Sequence, residues 1–161
     1  MDHRQIYEQM VAGQDRQAAE RHQSAEARGW KLLKENLSEE QLNRLERSGY
    51  FAVTGGTTGL LYHIRTGRTF NVDILGKAGQ CGTSICFQPE GGLCTGDVML
   101  TQKLALELRE EEALRTANIE GTMGAKWLEE ELRRAGFPDI LRKKRTSQYN
   151  TLRQMLFPGP F

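Results

Sequence analysis

The feature that most constrains the fold is a run of two-residue alternation between positions 50 and 75, interrupted only by turn residues. Phe51 and Val53 alternate with Tyr50, Ala52 and Thr54. Leu60, Tyr62 and Ile64 alternate with Leu61, His63 and Arg65, and Phe70, Val72 and Ile74 alternate with Asn71 and Asp73. Successive side chains of a strand point to opposite faces, so each run has one apolar face and one mixed face. Gly55-Gly56-Thr57-Thr58-Gly59 and Thr66-Gly67-Arg68 supply positions that tolerate φ > 0 between the runs. Successive runs of this kind predict antiparallel strands with one buried face. A further Gly-rich turn leads to Thr83–Phe87, a fourth short strand with Ile85 and Phe87 inward.

A half-buried sheet needs a cover. The segment VMLTQKLALEL follows an irregular loop, Gln88 to Gly96, and predicts an apolar helix N-capped by Asp97. Val98, Ala105 and Leu108 form its expected inward stripe, extended by Leu100 and Leu104. Upstream, Ser38 with Gln41 makes a capping box, Leu37 and Leu42 a hydrophobic staple, and Gly49 a left-handed stop. The predicted fold class is therefore α+β: a small antiparallel sheet of three or four strands packed on one apolar helix, with helical segments at both ends.

The expected organisation is an N-terminal helical arm over residues 1–37, an α+β core over 38–118 and a C-terminal helical extension over 119–161. The arm reads as helix from Gln5 to Leu33, and its middle, QDRQAAERHQSAEAR, is rich in helix formers and poor in large apolar residues. In the extension, Thr122 starts a helix carrying Trp127, Leu128 and Leu132 and ended by Gly136; Ile140 and Leu141 follow in a turn. Ser147 starts a last helix with Tyr149, Leu152 and Leu156 on one face.

Composition narrows the function classes. The 161 residues carry a net charge of only +1, so bulk attraction to nucleic acid or anionic membrane is weak and must come from a local patch. No run reaches the ~18 apolar residues of a membrane span. The start is charged from its second residue and has no apolar signal region. The expectation is a cytoplasmic protein whose three cysteines are free thiols.

Cys81, Cys86 and Cys94 are the candidate metal ligands. They form no CxxC pair, and His3, His22 and His63 are scattered, so no metal and no cofactor is expected. Period two places His63, Asp73 and Cys86 on the face opposite the core, a nucleophile–base–orienter set on paper. Three polar residues on an exposed sheet face are expected anyway, and no helix N-terminus stabilises that thiolate. The reading is therefore not an enzyme. The glycines of Gly55–Gly59 lack the lysine and following helix of a phosphate loop, and turn chemistry explains them.

Two resemblances bear on the middle of the chain. The order hairpin, Cys-bearing strand, Cys-bearing loop and apolar helix resembles the SWIM zinc-binding domain. Cys86 and Cys94 match its ligand pattern, while Ser84 and Gly96 stand at the other ligand positions. That resemblance implies a metal-less descendant that binds DNA or protein. The stretches GYFAVTGGTTGLLYHIRTGRTFNV, CFQPEGGL and GDVMLTQKLALE also resemble a group of short bacterial and phage proteins, over residues 49–118. This implies a bacterial or phage source, with the host cytoplasm or a virion as its setting, and no particular chemistry.

The first functional expectation is a non-catalytic interaction module that docks on a protein partner or on itself. Trp30, Trp127, Tyr149, Leu152 and Phe157 are its candidate contact residues, since such large apolar side chains exceed what a small sheet needs. The alternative is a nucleic-acid-binding accessory protein using Arg142, Lys143, Lys144 and Arg145, with Arg65 and Arg68 at a hairpin tip.

Overall fold

The computed structural model describes residues 3–89 and 91–141. Ten elements follow in order: α1 (His3–Glu35), α2 (Glu39–Ser48), β1 (Tyr50–Thr54), β2 (Leu61–Arg65), β3 (Val72–Leu75), β4 (Cys81–Cys86), α3 (Thr95–Leu108), α4 (Glu110–Thr116), β5 (Asn118–Ile119) and α5 (Gly121–Arg134). The fold is α+β. Its sheet is antiparallel and open, with five strands in sequential order. The fifth strand exceeds the three or four expected, and at two residues it is too short to show an alternation.

Register fixes the two faces. Phe51, Val53, Tyr62, Ile64, Val72, Ile74 and Ile85 are buried on one side. Ala52 pairs with His63, His63 with Asp73 and Asp73 with Ser84, so these residues share the other side. The buried side chains join Leu33, Leu45, Met99, Leu106, Leu114, Leu128, Leu132, Ile140 and Leu141 in one core. Burying each large aliphatic group stabilises by about 1.5–3 kcal/mol relative to exposure.

α2 has the predicted ends. Ser38 and Gln41 bond reciprocally as a capping box, and Gly49 closes the helix at φ 71°. The Gln41 amide also donates to the Ala52 carbonyl at 2.7 Å, which occupies one acceptor on the outer edge of β1.

α3 differs from its expected form. It starts at Thr95, with Cys94 as N-cap, so Asp97 lies in the first turn and accepts from the Cys94 thiol at 3.0 Å. Its buried residues are Gly96, Met99, Leu100, Gln102 and Leu106, whereas Leu108 is 76% exposed and Leu104 43%. The expected Val98–Ala105–Leu108 stripe is thus not the inward one. Hydrophobicity misplaced it because a glutamine sits in the core: Gln102 exchanges two hydrogen bonds with Asn71 and donates to the Phe87 carbonyl at 2.8 Å. A buried amide with its bonds made costs little.

α1 is anchored at one end. Leu33 is fully buried, while residues 11–24 are exposed. The anchor is a close crossing with α3: a Cβ on Gly96 would overlap the Gly29 carbonyl, and one on Gly29 would overlap the Cys94 sulfur. Glu26 reaches across to accept from the Thr95 backbone N–H at 3.1 Å, capping α3 from a different helix.

Candidate functional site

Three places bring polar or reactive groups together. The tightest is internal. Glu110, at the start of α4, is fully buried. Its carboxylate accepts from the backbone N–H of Thr57 at 2.8 Å and of Thr58 at 2.7 Å, from the Thr58 hydroxyl, and from the Tyr62 hydroxyl at 2.6 Å. The Gly55–Gly59 loop is therefore an anion cradle after all, filled by the protein's own carboxylate. A Cβ on Gly55 would displace the Glu110 carboxylate, and one on Gly56 would overlap the Glu107 backbone carbonyl. Burial, then the Glu110 charge and hydrogen bond, drive the Tyr62 pKa far above its ordinary value, against a smaller opposing effect from Thr58. Tyr62 stays a neutral donor. Nothing in the sequence marked Glu110, which stands in the run Glu110-Glu111-Glu112 and reads as surface charge.

The second cluster lies on the outer face of the sheet. Asp73 is 2% exposed. It accepts from Arg65 Nε and, at 2.8 Å, from the Ser84 hydroxyl, and Arg68 stands at 3.8 Å. Arg65 also lies over the Tyr50 ring, 4.9 Å from its centroid, and Arg44 of α2 lies 5.9 Å from it. The His63 ring packs against Tyr50 at 4.4 Å. Burial, then the charges of Arg65 and Arg44, lower the His63 pKa, with Asp73 opposing.

This geometry bears on the Cys86–His63–Asp73 set. His63 and Asp73 share the face that alternation implied, and the register makes them cross-strand neighbours. The residue opposite Asp73 is Ser84, and Cys86 lies beyond it, opposite Asn118. Burial raises the Cys86 pKa, the wrong direction for a nucleophilic thiolate. The arrangement suits a fixed ion pair better than an acyl or thiol transfer.

The three thiols occupy separate places. Cys81 and Cys86 are the two ends of β4, which at ~3.3 Å per residue are about 16 Å apart along the strand. Cys94 caps α3 against α1, where burial and its bond to Asp97 raise its pKa. Among the described residues, no group of three or more His, Cys, Asp or Glu side chains is placed to hold a metal ion.

The third place is a groove of about 450 Å³ beside Cys86, lined by Phe87, Pro89, Ala105, Ala113 and Asn118 together with Arg109 and Glu112. Its walls are mostly apolar, and its two charges are paired with each other at 3.2 Å.

Of the expected contact residues, Trp30 and Trp127 are partly buried against the core, and the Trp127 ring covers Gly82. Arg65 and Arg68 lie together at the β2–β3 turn, both directed at Asp73. Arg142, Lys143, Lys144, Arg145, Tyr149, Leu152 and Phe157 lie outside the described residues.

In comparison with known proteins, no family model, curated protein or solved structure matches the chain. Among the described residues, no helix is long and apolar enough to cross a membrane.

Proposed function

We propose that the protein is a non-catalytic interaction module, with the α+β core as a platform and α1 as its contact element. The observation that carries this reading is the asymmetry of α1. The helix runs for 33 residues, about 50 Å at 1.5 Å per residue. Gly29 and Leu33 are buried at its C-terminal end, while residues 11–24 are exposed throughout. A helix that is polar all round and projects from its domain gains little from its own packing.

Its sequence also has a pattern, exposed from residue 11 to residue 24 and half-buried at Ala25. Val11, Ala18 and Ala25 recur every seven residues, as do Ala12 and Ala19, with charged or amide groups between them. Small residues at that spacing let another helix approach closely, and the flanking Asp15, Arg16, Glu20 and Arg21 give it alternating charges to register against. The occupant that fits is a helix of a partner protein. The polar clusters support the same reading from another side, since Glu110, Asp73 and Gln102 each spend their hydrogen bonds inside the fold.

The test is tagged capture from the source cell after nuclease treatment, with wild-type protein and the Ala12→Arg/Ala19→Arg double variant. Both positions are exposed, so the circular dichroism spectrum and melting curve should not change. One partner held by the wild type and released by the variant is the expected result. A partner held equally by both proteins, or no partner at any protein concentration, overturns the reading.

A further inference from the structure

The groove beside Cys86 is open among the described residues, and α3 extends its apolar wall. Thr101, Ala105 and Leu108 follow one another at four and three residues, so they share one face of α3. Thr101 and Ala105 line the groove, and the exposed Leu108 continues their row. Leu104, on the adjoining row, is exposed as well. The two charges of the groove, Arg109 and Glu112, answer each other, so the seat suits an apolar side chain better than an ion.

The chain itself carries an apolar face of matching spacing. Tyr149, Leu152 and Leu156 stand three and four apart in the helix predicted from Ser147 onward, beyond the described residues. Charge favours bringing the two together. All 21 Asp and Glu precede residue 142, whereas five of the 22 Lys and Arg follow residue 141, which leaves residues 1–141 with a net charge of −4 and residues 142–161 with +5. Attraction between such parts draws the basic end onto the acidic body.

We infer that the segment from Ser147 to Phe157 seats its Tyr149–Leu152–Leu156 face in the groove beside Cys86 of its own chain, against Ala105 and Leu108.

The geometry allows the return. Asn118 of β5 lines the groove, and α5 begins three residues later and carries the chain about 21 Å in 14 residues. The seven residues 142–148 can span up to about 25 Å. A tethered segment acts at an effective concentration in the millimolar range, so a modest contact is well populated. The groove and α1 share no residue, so this contact and the α1 contact stand or fall separately.

The experiment is the rate of Cys86 alkylation by iodoacetamide in the full chain, read by mass spectrometry with exposed Cys81 and buried Cys94 of the same molecule as references. A seat filled about nine-tenths of the time slows Cys86 about tenfold, so Leu152→Asp/Leu156→Asp should speed it about tenfold relative to Cys81. Leu108→Asp should do the same from the other side of the contact. Leu108 is exposed, so the fold should hold, and slow labelling of Cys94 reports that it has. A peptide of residues 147–161, added at about 1 mM to the Leu152→Asp/Leu156→Asp protein, should slow Cys86 again, and the same peptide with both substitutions should not. Protection of Cys86 should stay constant over about a hundredfold range of protein concentration, as a contact within one chain requires. Three results would overturn the inference: equal Cys86 rates in the wild type and Leu152→Asp/Leu156→Asp, no effect of the peptide, or protection that grows with concentration, which would put the segment of a second copy in the groove.

Discussion

Removing the Glu110 carboxylate should show how far the sheet depends on one internal anion. Four donors converge on it: two loop amides and two hydroxyls. Hydrogen bonds to a charged group contribute roughly 1.5–3 kcal/mol each, but Thr57 and Thr58 lie near solvent and recover part of that from water when the partner is lost. Tyr62 cannot, because it is fully buried. Glu110→Ala should therefore cost about 3–5 kcal/mol, most of it the orphaned Tyr62 hydroxyl and the loosened loop. Glu110→Gln keeps the shape, and the hydroxyls can turn to accept from the new amide. It should cost only about 1–2 kcal/mol, the lost charge assistance.

The decisive arm is Tyr62→Phe. In the wild type it should cost about 1.5–3 kcal/mol, since it removes a bond to a buried carboxylate. In the Glu110→Ala background it should be neutral or stabilising, because it deletes a hydroxyl that no longer has a partner. Urea unfolding followed by tryptophan fluorescence gives both values, and the double-mutant cycle should return a coupling of about 2–4 kcal/mol. If Tyr62→Phe costs the same in both backgrounds, within about 0.5 kcal/mol, the pair is not coupled and the clamp is not what holds the loop. Hydrogen exchange supplies an independent check, with protection of the Thr57 and Thr58 amides expected in the wild type and lost in Glu110→Ala.

Other consequences can be measured in the same way. At the α1–α3 crossing, Gly96→Ala should cost about 2–3 kcal/mol because its Cβ meets fixed backbone. Gly29→Ala should cost less, as it meets the Cys94 side chain, and Cys94→Ala should relieve most of it in urea melts. Burial and the Arg65 and Arg44 charges lower the folded pKa of His63, with Asp73 opposing. Below the unfolded value of about 6.5 the unfolded chain therefore binds the proton first, and stability should fall as pH drops from there towards the folded pKa. The urea midpoint of His63→Gln should fall less between pH 7 and 5 than that of the wild type; equal slopes would contradict the shift. In the native state near pH 8, iodoacetamide should label exposed Cys81 first, followed by Cys86 and then buried Cys94, with mass spectrometry giving the order.

The parts of the fold legible in the sequence were those whose signal is local. Strand alternation in residues 51–74 put His63 and Asp73 on one face, and Ser38, Gln41 and Gly49 gave the ends of α2, because each depends on neighbours within a few positions. Three features stayed hidden because their cause lies far along the chain. Glu110 is anchored by residues 48 to 53 positions away, so its burial has no local mark. Gln102 sits in the core because Asn71 waits for it 31 residues upstream, which shifted the inward stripe of α3 away from Leu104 and Leu108 while keeping Leu100. Glu26 caps a helix that begins 69 residues later.

These three contacts share a physical logic that explains why so polar a chain holds one core. In the two buried ones, Glu110 and Gln102, the polar group that burial strands is paired with a group from a distant element, so the penalty of desolvation is met only when both elements are in place; the exposed Glu26 contact adds only a cap. Glu110 ties α4 to the β1–β2 loop, Gln102 ties α3 to the start of β3, and Glu26 ties α1 to α3. A wrong packing of α3, rotated to bury Val98 and Leu108, would also cover the sheet with hydrocarbon. It would leave Asn71 and the Phe87 carbonyl without their bonds to Gln102. Hydrophobic area alone does not separate those two arrangements; the buried amide does, at about 1–3 kcal/mol for each group left unpaired. Gln102→Leu should therefore leave Asn71 unpaired and lower stability despite adding apolar surface, and Gln102→Leu/Asn71→Leu should recover it. A stable single variant would show that packing, not pairing, orients the helix.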